Sequence, residues 1–574
     1  MRRTEDEAGR AELRRALRPA RSLILTVALF SLTVNMLMLT GPLYMLQVYD
    51  RVLAGRSEAT LLALSLIAAA MFLAMALIDH ARGRIVARIG AALQQRLDLR
   101  VFRAALARSA RVPSDGVAAT AQRDLEAVQK LLASPVFLAM CDLPWVPIFV
   151  LGLFAFHPAL GLLALGGAGL LVAMTLANQA LSVAPLAEAA RCGVRADRLS
   201  DMLKAEAETV QALGMTGAAF DRWQRGRSEA LAAALRAADV TGGFGAAIRT
   251  LRLFLQSATL GLGAWLVLKA GLSGGVMIAS SVLMGRALAP IDTAIGHWPL
   301  VAHAWQARGR LAALLTRQPE AAPRTPLPRP QARIEAAGLS LIPPGGAAPV
   351  LRNLAFAVGP GQAVGVIGPS GSGKSSLARA LTGLWMPAAG DIRLDGATLD
   401  QYGADTLGRL AGYLPQRVTL FDGTIAENIA RLGAPDPEAV VAAARRAAAH
   451  EMILRLPAGY DTPVAAIGGR LSGGQIQRIG LARAMYGDPV FLVLDEPNSN
   501  LDNDGTMALN AGIRAVKAAG GTVFIMAHRP AAIQECELLL VIEDGLQRAF
   551  GPRDTVLREM VKNHTDIVRA GAAP

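Results

Sequence analysis

A chain of 574 residues that is 53% hydrophobic, with mean hydropathy +0.37, is too apolar for an ordinary soluble protein and long enough for more than one domain. Its formal charge of +13 would suit nucleic-acid binding in a soluble protein, so the placement of the basic residues decides what that charge means. Three cysteines, Cys141, Cys192 and Cys536, are too few and too scattered for a disulfide framework or a metal cluster, and read as structural.

Residues 1–21 are rich in arginine and read as a cytoplasmic N-terminal segment ahead of a long apolar run. That run exceeds a signal-peptide core and has no clear small-residue cleavage site, so it is expected to stay as a membrane span. Windows long enough to cross a bilayer lie near 22–46, 59–79, 134–156, 158–178, 250–270 and 275–298. Six spans put both termini on one side, in a transmembrane domain over 22–315. The long connections, 80–131 and 179–245, read as helical extensions, and they carry most of the basic residues, from Arg82 to Lys130 and from Arg191 to Arg236. The opposite face has only Arg51, Arg56 and Lys269, so the bias places the N-terminus and the long connections in the cytoplasm. The net charge is then topology, and no nucleic-acid partner is needed to explain it.

Gly41-Pro42, Pro144 and Pro147 are expected to kink the first and third spans, because proline removes a backbone donor. Asp142 and Arg286 sit well inside apolar windows, where an isolated charge costs about 2.5–3.5 kcal/mol even on the lenient insertion scale. Two readings stay open: both face a translocation cavity, or they pair between spans three and six.

Residues 316–332 are proline-rich without an apolar period and read as a semi-extended linker. From 333 to 574 strands and helices alternate, as in an α/β fold with added β-structure. The apolar run Ala363–Ile367 leads into Gly368-Pro369-Ser370-Gly371-Ser372-Gly373-Lys374-Ser375-Ser376, a phosphate loop between a strand and a helix. Glycines allow the tight turn that aims backbone N–H groups at phosphates. Lys374 supplies a point charge to the β and γ phosphates, and Ser375 a hydroxyl for Mg²⁺. Downstream, the buried run Phe491–Asp495 ends in two carboxylates, Asp495 for the Mg²⁺ shell and Glu496 to polarise an attacking water.

Between these lies Leu471-Ser472-Gly473-Gly474-Gln475, which resembles the signature of ATP-binding cassette (ABC) proteins. The resemblance extends to Gln416, to Ser499 and Asp502 after the carboxylates, and to His528 after the strand Thr522–Met526. It implies a multidomain protein: an all-α six-helix transmembrane domain like that of type I ABC exporters, then an α/β phosphate-loop ATPase. It also implies two ATP sites in a head-to-tail pair, each phosphate loop capped by the partner's signature. Glu496, His528 and Gln416 would be catalytic, and Ser375, Gln416 and Asp495 would hold Mg²⁺. One membrane domain with one ATPase is half a transporter, so a homodimer is expected.

Residues 42–53 (PLYMLQVYDRVL), 142–149 (DLPWVPIF) and 495–502 (DEPNSNLD) are similar to the inner-membrane component of type I secretion systems, in the branch that exports alkaline proteases and lipases. That resemblance implies export of an unfolded polypeptide with a C-terminal signal from a Gram-negative cytoplasm, through a membrane-fusion adaptor and an outer-membrane channel. The short segment before the first span implies that no peptidase-like domain precedes it. A lipid or drug exporter and a membrane-bound ATPase sensor are the competing readings. Two positions depart from the exporter pattern. Pro343 stands where an aromatic ring usually stacks on adenine, and Ala465 and Ala466 where a glutamate usually precedes the signature.

Overall fold

The computed structural model describes residues 7–112, 115–320, 324–467, 471–499, 501, 503–527 and 533–560. Two compact units divide near Glu320. The first is helical. Long apolar helices occur within Glu7–Leu53, Glu58–Arg111, Pro135–Phe156, Pro158–Ala205 and Thr216–Ala270, each able to cross a bilayer by length and composition. A sixth helix, Gly274–Gly296, has a shorter apolar part, Gly274–Pro290.

Proline and helix-end chemistry set the breaks. The first span runs Arg21–Leu37 and restarts at Thr40–Gln47 before a π-helical turn, Val48–Leu53. The break falls at Met38 and Leu39, just before Gly41-Pro42, which places Pro42 in a first turn, where an N–H would have no partner within its own helix. In the third span, Pro135–Asp142 and Val146–Phe156 flank a 3₁₀ turn at Leu143–Trp145, with Pro144 and Pro147 on either side of the junction. The helices Pro158–Ala205 and Thr216–Ala270 pack closely through small residues. A Cβ added to Gly167 would stand 2.7 Å from Leu255 Cδ1.

The N-terminal segment contains a helix. Glu7–Leu17 is an amphipathic helix that buries Gly9 and Leu13 against the helix Trp298–Arg317. The Gly9 N–H donates to Thr316 Oγ1 at 2.9 Å, and a Cβ on Gly9 would come within 2.0 Å of the Ala312 carbonyl oxygen. Arg100 binds Glu12 at 2.8 Å and donates to the carbonyls of Leu315 and Gln318, the end of that helix.

In the second unit ten strands form one sheet in the order β5-β4-β1-β2-β10-β9-β3-β8-β7-β6. The antiparallel part contains β1 (Ile334–Leu341), β2 (Leu351–Val358), β4 (Ala389–Leu394) and β5 (Ala397–Thr398). The parallel part places β3 (Ala363–Ile367) between β8 (Thr522–Met526) and β9 (Leu538–Glu543), and β7 (Phe491–Asp495) between β8 and β6 (Ala411–Leu414). Strands β7 and β8 are buried along their whole length, which is why their sequences are continuous apolar runs. β10 is Leu546–Pro552. The linker is not a free spacer at its far end. Arg329 donates to the Asp488 carbonyl at 2.7 Å, the Gln331 N–H to Asp395 Oδ2 at 3.0 Å, and the Ala332 carbonyl accepts from Thr522 Oγ1 at 2.5 Å.

Candidate active site

The carboxyl ends of the central parallel strands converge on one place. Strand β3 is buried from Ala363 to Val366 and hands over to Gly368. Gly371 and Gly373 have φ of +82° and +104°, and a Cβ on Gly373 would stand 2.5 Å from Leu351 Cδ2. Both reasons restrict this turn to glycine. The helix Lys374–Leu381 starts there, with Pro369, Ser370 and Gly371 exposed and Ser372 and Ser376 buried. Lys374 Nζ donates to the carbonyls of Gly368 and Pro369, each at 2.8 Å, so the loop curls around its own ammonium. Burial pulls the Lys374 pKa down, and the charges of Glu496 and Asp495 pull against that.

Strand β7 delivers the carboxylates. Asp495 Oδ1 accepts from Ser375 Oγ at 3.2 Å. Burial pushes the Asp495 carboxyl up, with the Ser375 hydrogen bond opposing and the Glu496 charge adding. Glu496 has φ +51°, a left-handed turn that a non-glycine residue adopts only when its surroundings hold it. Its N–H donates to the Met526 carbonyl at 3.0 Å, and its Oε2 accepts from Gln416 Nε2 at 3.2 Å. The turn aims Glu496 away from the strand axis while Asp495 stays buried.

Ser375 and Asp495 bring two oxygen donors within 3.2 Å of each other, and Gln416 stands against Glu496. The hydroxyl of Ser372, buried in the same loop, has no hydrogen-bond partner among the described residues. Oxygen donors of this kind fit a hard cation such as Mg²⁺.

Leu471, Ser472, Gly473, Gly474 and Gln475 form the start of the helix Gly473–Met485. Ser472 is its N-cap: Ser472 Oγ accepts from the Gln475 N–H at 3.2 Å, and Gln475 Oε1 accepts from the Ser472 N–H at 2.9 Å. Ser472 and Gly473 remain exposed. The Ser499 N–H donates to the Glu496 carbonyl at 3.2 Å, tying the segment after the carboxylates to them. Asp502 and His528 lie outside the described residues. Pro343 sits in the β1–β2 turn, its carbonyl accepting from the Gly346 N–H at 2.9 Å, and Ala465 and Ala466 belong to the short helix Val464–Ile467.

The structure corrects the reading of Asp142 with Arg286. Asp142 is buried, and its Oδ1 accepts from Arg82 Nη1 at 2.8 Å and Asn35 Nδ2 at 2.9 Å, while Arg286 is exposed and makes no ion pair with it. Arg82 also donates to Asp79 at 2.6 Å and to Ser31 Oγ at 3.1 Å, joining the first three spans. The reason is register. Arg82 lies one turn beyond the apolar window of span two, at the end that the chain shares with the start of span three, and Asp142 is two turns into span three. Sequence reasoning counted Arg82 as a topology signal. Its closeness to the window's end was the missed clue.

The transmembrane region of ABC transporters matches residues 24–290, and the ABC transporter ATPase model matches 351–499. The type I secretion system ATP-binding protein PrsD of Rhizobium meliloti is 42% identical over 95% of this chain and 94% of its own length. The cyclolysin secretion/processing ATP-binding protein CyaB of Bordetella pertussis is 30% identical over 94% of this chain and 77% of its own. Among solved structures, a bacterial Atm1-family ABC exporter with ATP bound superposes with a TM-score of 0.78 at 23% identity, covering 97% of this chain and 99% of that one, a likeness of fold.

Proposed function

Since the chain belongs to the ABC transporter family, a multi-pass membrane protein that couples ATP hydrolysis to transport, we propose that it is the inner-membrane exporter of a type I secretion system. Its cargo in this reading is an unfolded polypeptide with a C-terminal signal, of the protease or lipase kind. The observation that carries the proposal is the end-to-end likeness to a type I secretion ATP-binding protein, over membrane and ATPase parts alike. It works as a homodimer with a membrane-fusion adaptor and an outer-membrane channel in a Gram-negative envelope.

In this reading the exposed turn at Pro369–Gly371 and the start of the following helix take the phosphates of ATP, and Lys374 exchanges its two loop carbonyls for phosphate oxygens. Ser375, Gln416 and Asp495 hold Mg²⁺, which neutralises phosphate charge. Glu496, turned toward Gln416, orients the attacking water, with His528 as its helper. Ser472 and Gly473 are exposed and Gly474 is half-buried on a capped helix end, where they can close over the partner's nucleotide.

The test is secretion. The culture-medium proteins of the parent strain, a deletion strain and a strain carrying Glu496→Gln are compared. Loss of one or a few polypeptides from the medium in both mutants, each needing its own C-terminal segment for release, supports the proposal. An unchanged set of secreted proteins overturns it. For the composite sites, a mixed dimer with Lys374→Ala in one subunit and Ser472→Ala in the other keeps one intact site. Turnover no better than either pure mutant argues against the head-to-tail pair.

A further inference from the structure

The segment that follows Gln416 has little regular structure until the helix Ile425–Ile429, and Gln416, Arg417, Thr419, Phe421 and Asp422 are exposed. A loop of this kind drifts unless its backbone is tied. Two side chains tie it, Asn428 just beyond the segment and Arg483, 64 residues past Thr419.

Asn428 is fully buried. Its Nδ2 donates to the carbonyls of Phe421 at 2.9 Å and Thr424 at 3.0 Å, and its Oδ1 accepts from the Phe421 N–H at 2.9 Å. The same Oδ1 accepts from Arg483 Nη2 at 2.8 Å. Arg483 stands near the end of the helix that begins at the Ser472 cap. Its Nη1 donates to the Thr419 carbonyl and its Nε to the Asn428 carbonyl, both at 2.9 Å, and its guanidinium lies 5.2 Å from the Phe421 ring centre. Among the described residues, every hydrogen bond that the Arg483 guanidinium donates goes to an uncharged oxygen. A guanidinium used for neutralisation would sit on a carboxylate; this one is used as a rigid fork.

We propose that Arg483, acting through Asn428, is a positioning residue for ATP hydrolysis: it fastens the segment after Gln416 to the helix headed by Ser472, so that Gln416 stays opposite Glu496. Glu496, Gln416, the tied segment and the signature helix then form one continuous path of contacts. Neither Arg483 nor Asn428 touches the phosphate loop in the structure, so their loss affects turnover and leaves nucleotide binding alone. The inference rests on hydrolysis by this chain and not on the identity of the cargo.

The experiment uses the full-length protein in lipid nanodiscs, with MgATP as the probe. Arg483→Gln is expected to lower kcat roughly tenfold or more, with the Kd for ATP within about twofold of the parent, the scale of losing two or three charge-assisted hydrogen bonds from a positioned loop. Arg483→Lys is expected to fail as a rescue, because a point donor cannot reach three oxygens in a fixed fork. Arg431→Gln is the control. Arg431 donates to the carbonyls of Gly408, Arg483 and Ala484, and among the described residues makes no side-chain hydrogen bond to the segment 417–424. It is expected to lower the unfolding temperature while kcat stays near the parental value. Parental kcat in Arg483→Gln overturns the proposal. So does an equal loss of kcat in Arg431→Gln, or a loss of kcat that comes only with lost ATP binding and a lowered unfolding temperature. A parent without turnover would instead sink the reading as an ATPase.

Discussion

The membrane unit and the ATPase unit each bury a cation near acidic groups, and they treat the charge in opposite ways. In the membrane, Arg82 meets Asp142 directly at 2.8 Å and Asp79 at 2.6 Å, and Asn35 and Ser31 add hydrogen bonds. In the ATPase, Lys374 is held by two carbonyls of its own loop, and Asp495 by the Ser375 hydroxyl, so charges of opposite sign stand near one another without pairing. A matched buried pair is closed to ligands and serves the fold. An ammonium and a carboxylate each held by neutral groups keep their charge available for a ligand. The difference separates architecture from site, although both clusters look alike as scattered ionisable residues in the sequence.

The largest effect should come from breaking the membrane pair. Arg82→Met leaves Asp142 uncompensated and is expected to cost about 3–5 kcal/mol, seen as loss of the protein from the membrane fraction on immunoblots. The double variant Arg82→Met with Asp142→Leu should restore the level. If the single variant accumulates normally, the cluster is not a structural pair.

In the ATPase the same kind of change should spare the fold. Lys374→Ala is expected to weaken ATP binding roughly tenfold or more, the scale of hydrogen bonds to a charged group, with the unfolding temperature of the nucleotide-free protein unchanged. A large drop in that temperature would mean Lys374 serves the fold as Arg82 does.

A smaller effect sharpens the contrast further. Burial raises the Asp495 carboxyl above its ordinary range, so its ionised form is less favourable folded than unfolded, and nucleotide-free stability is lost as pH rises through the unfolded carboxyl range. Asp495→Asn should remove that cost, raising the unfolding temperature of the nucleotide-free protein, while abolishing MgATP turnover. Calorimetry at neutral pH would show it, and a lowered temperature would contradict it. Smallest of all is the exposed pair Lys130 and Glu126 at 3.7 Å, where Lys130→Ala should shift stability by less than about 0.5 kcal/mol.

Much of the ATPase site was legible beforehand because its chemistry is local. A tight turn requires Gly371 and Gly373, and the lysine, serine and carboxylates follow buried strands whose apolar runs announce them. The left-handed turn at Glu496 was not legible, since nothing in a Glu-Pro pair announces a positive φ. Asn428 and Arg483 were missed for a related reason. Each looks like an ordinary polar residue on a helix until the fold places the fork of one against the amide of the other.

By itself the sequence determined which residue types sit at the phosphate loop, where apolar windows are long enough to span a bilayer, and that the basic residues collect on one face. These are properties of spacing and composition, and each can be read within a few turns of chain. Only the tertiary structure decided that Asp142 pairs with Arg82 rather than Arg286, that the helix Glu7–Leu17 clasps Trp298–Arg317, and that Arg483 ties the segment after Gln416. Those contacts join residues tens to hundreds of positions apart. Register between packed helices sets them, and one turn of difference hands a charge a different partner.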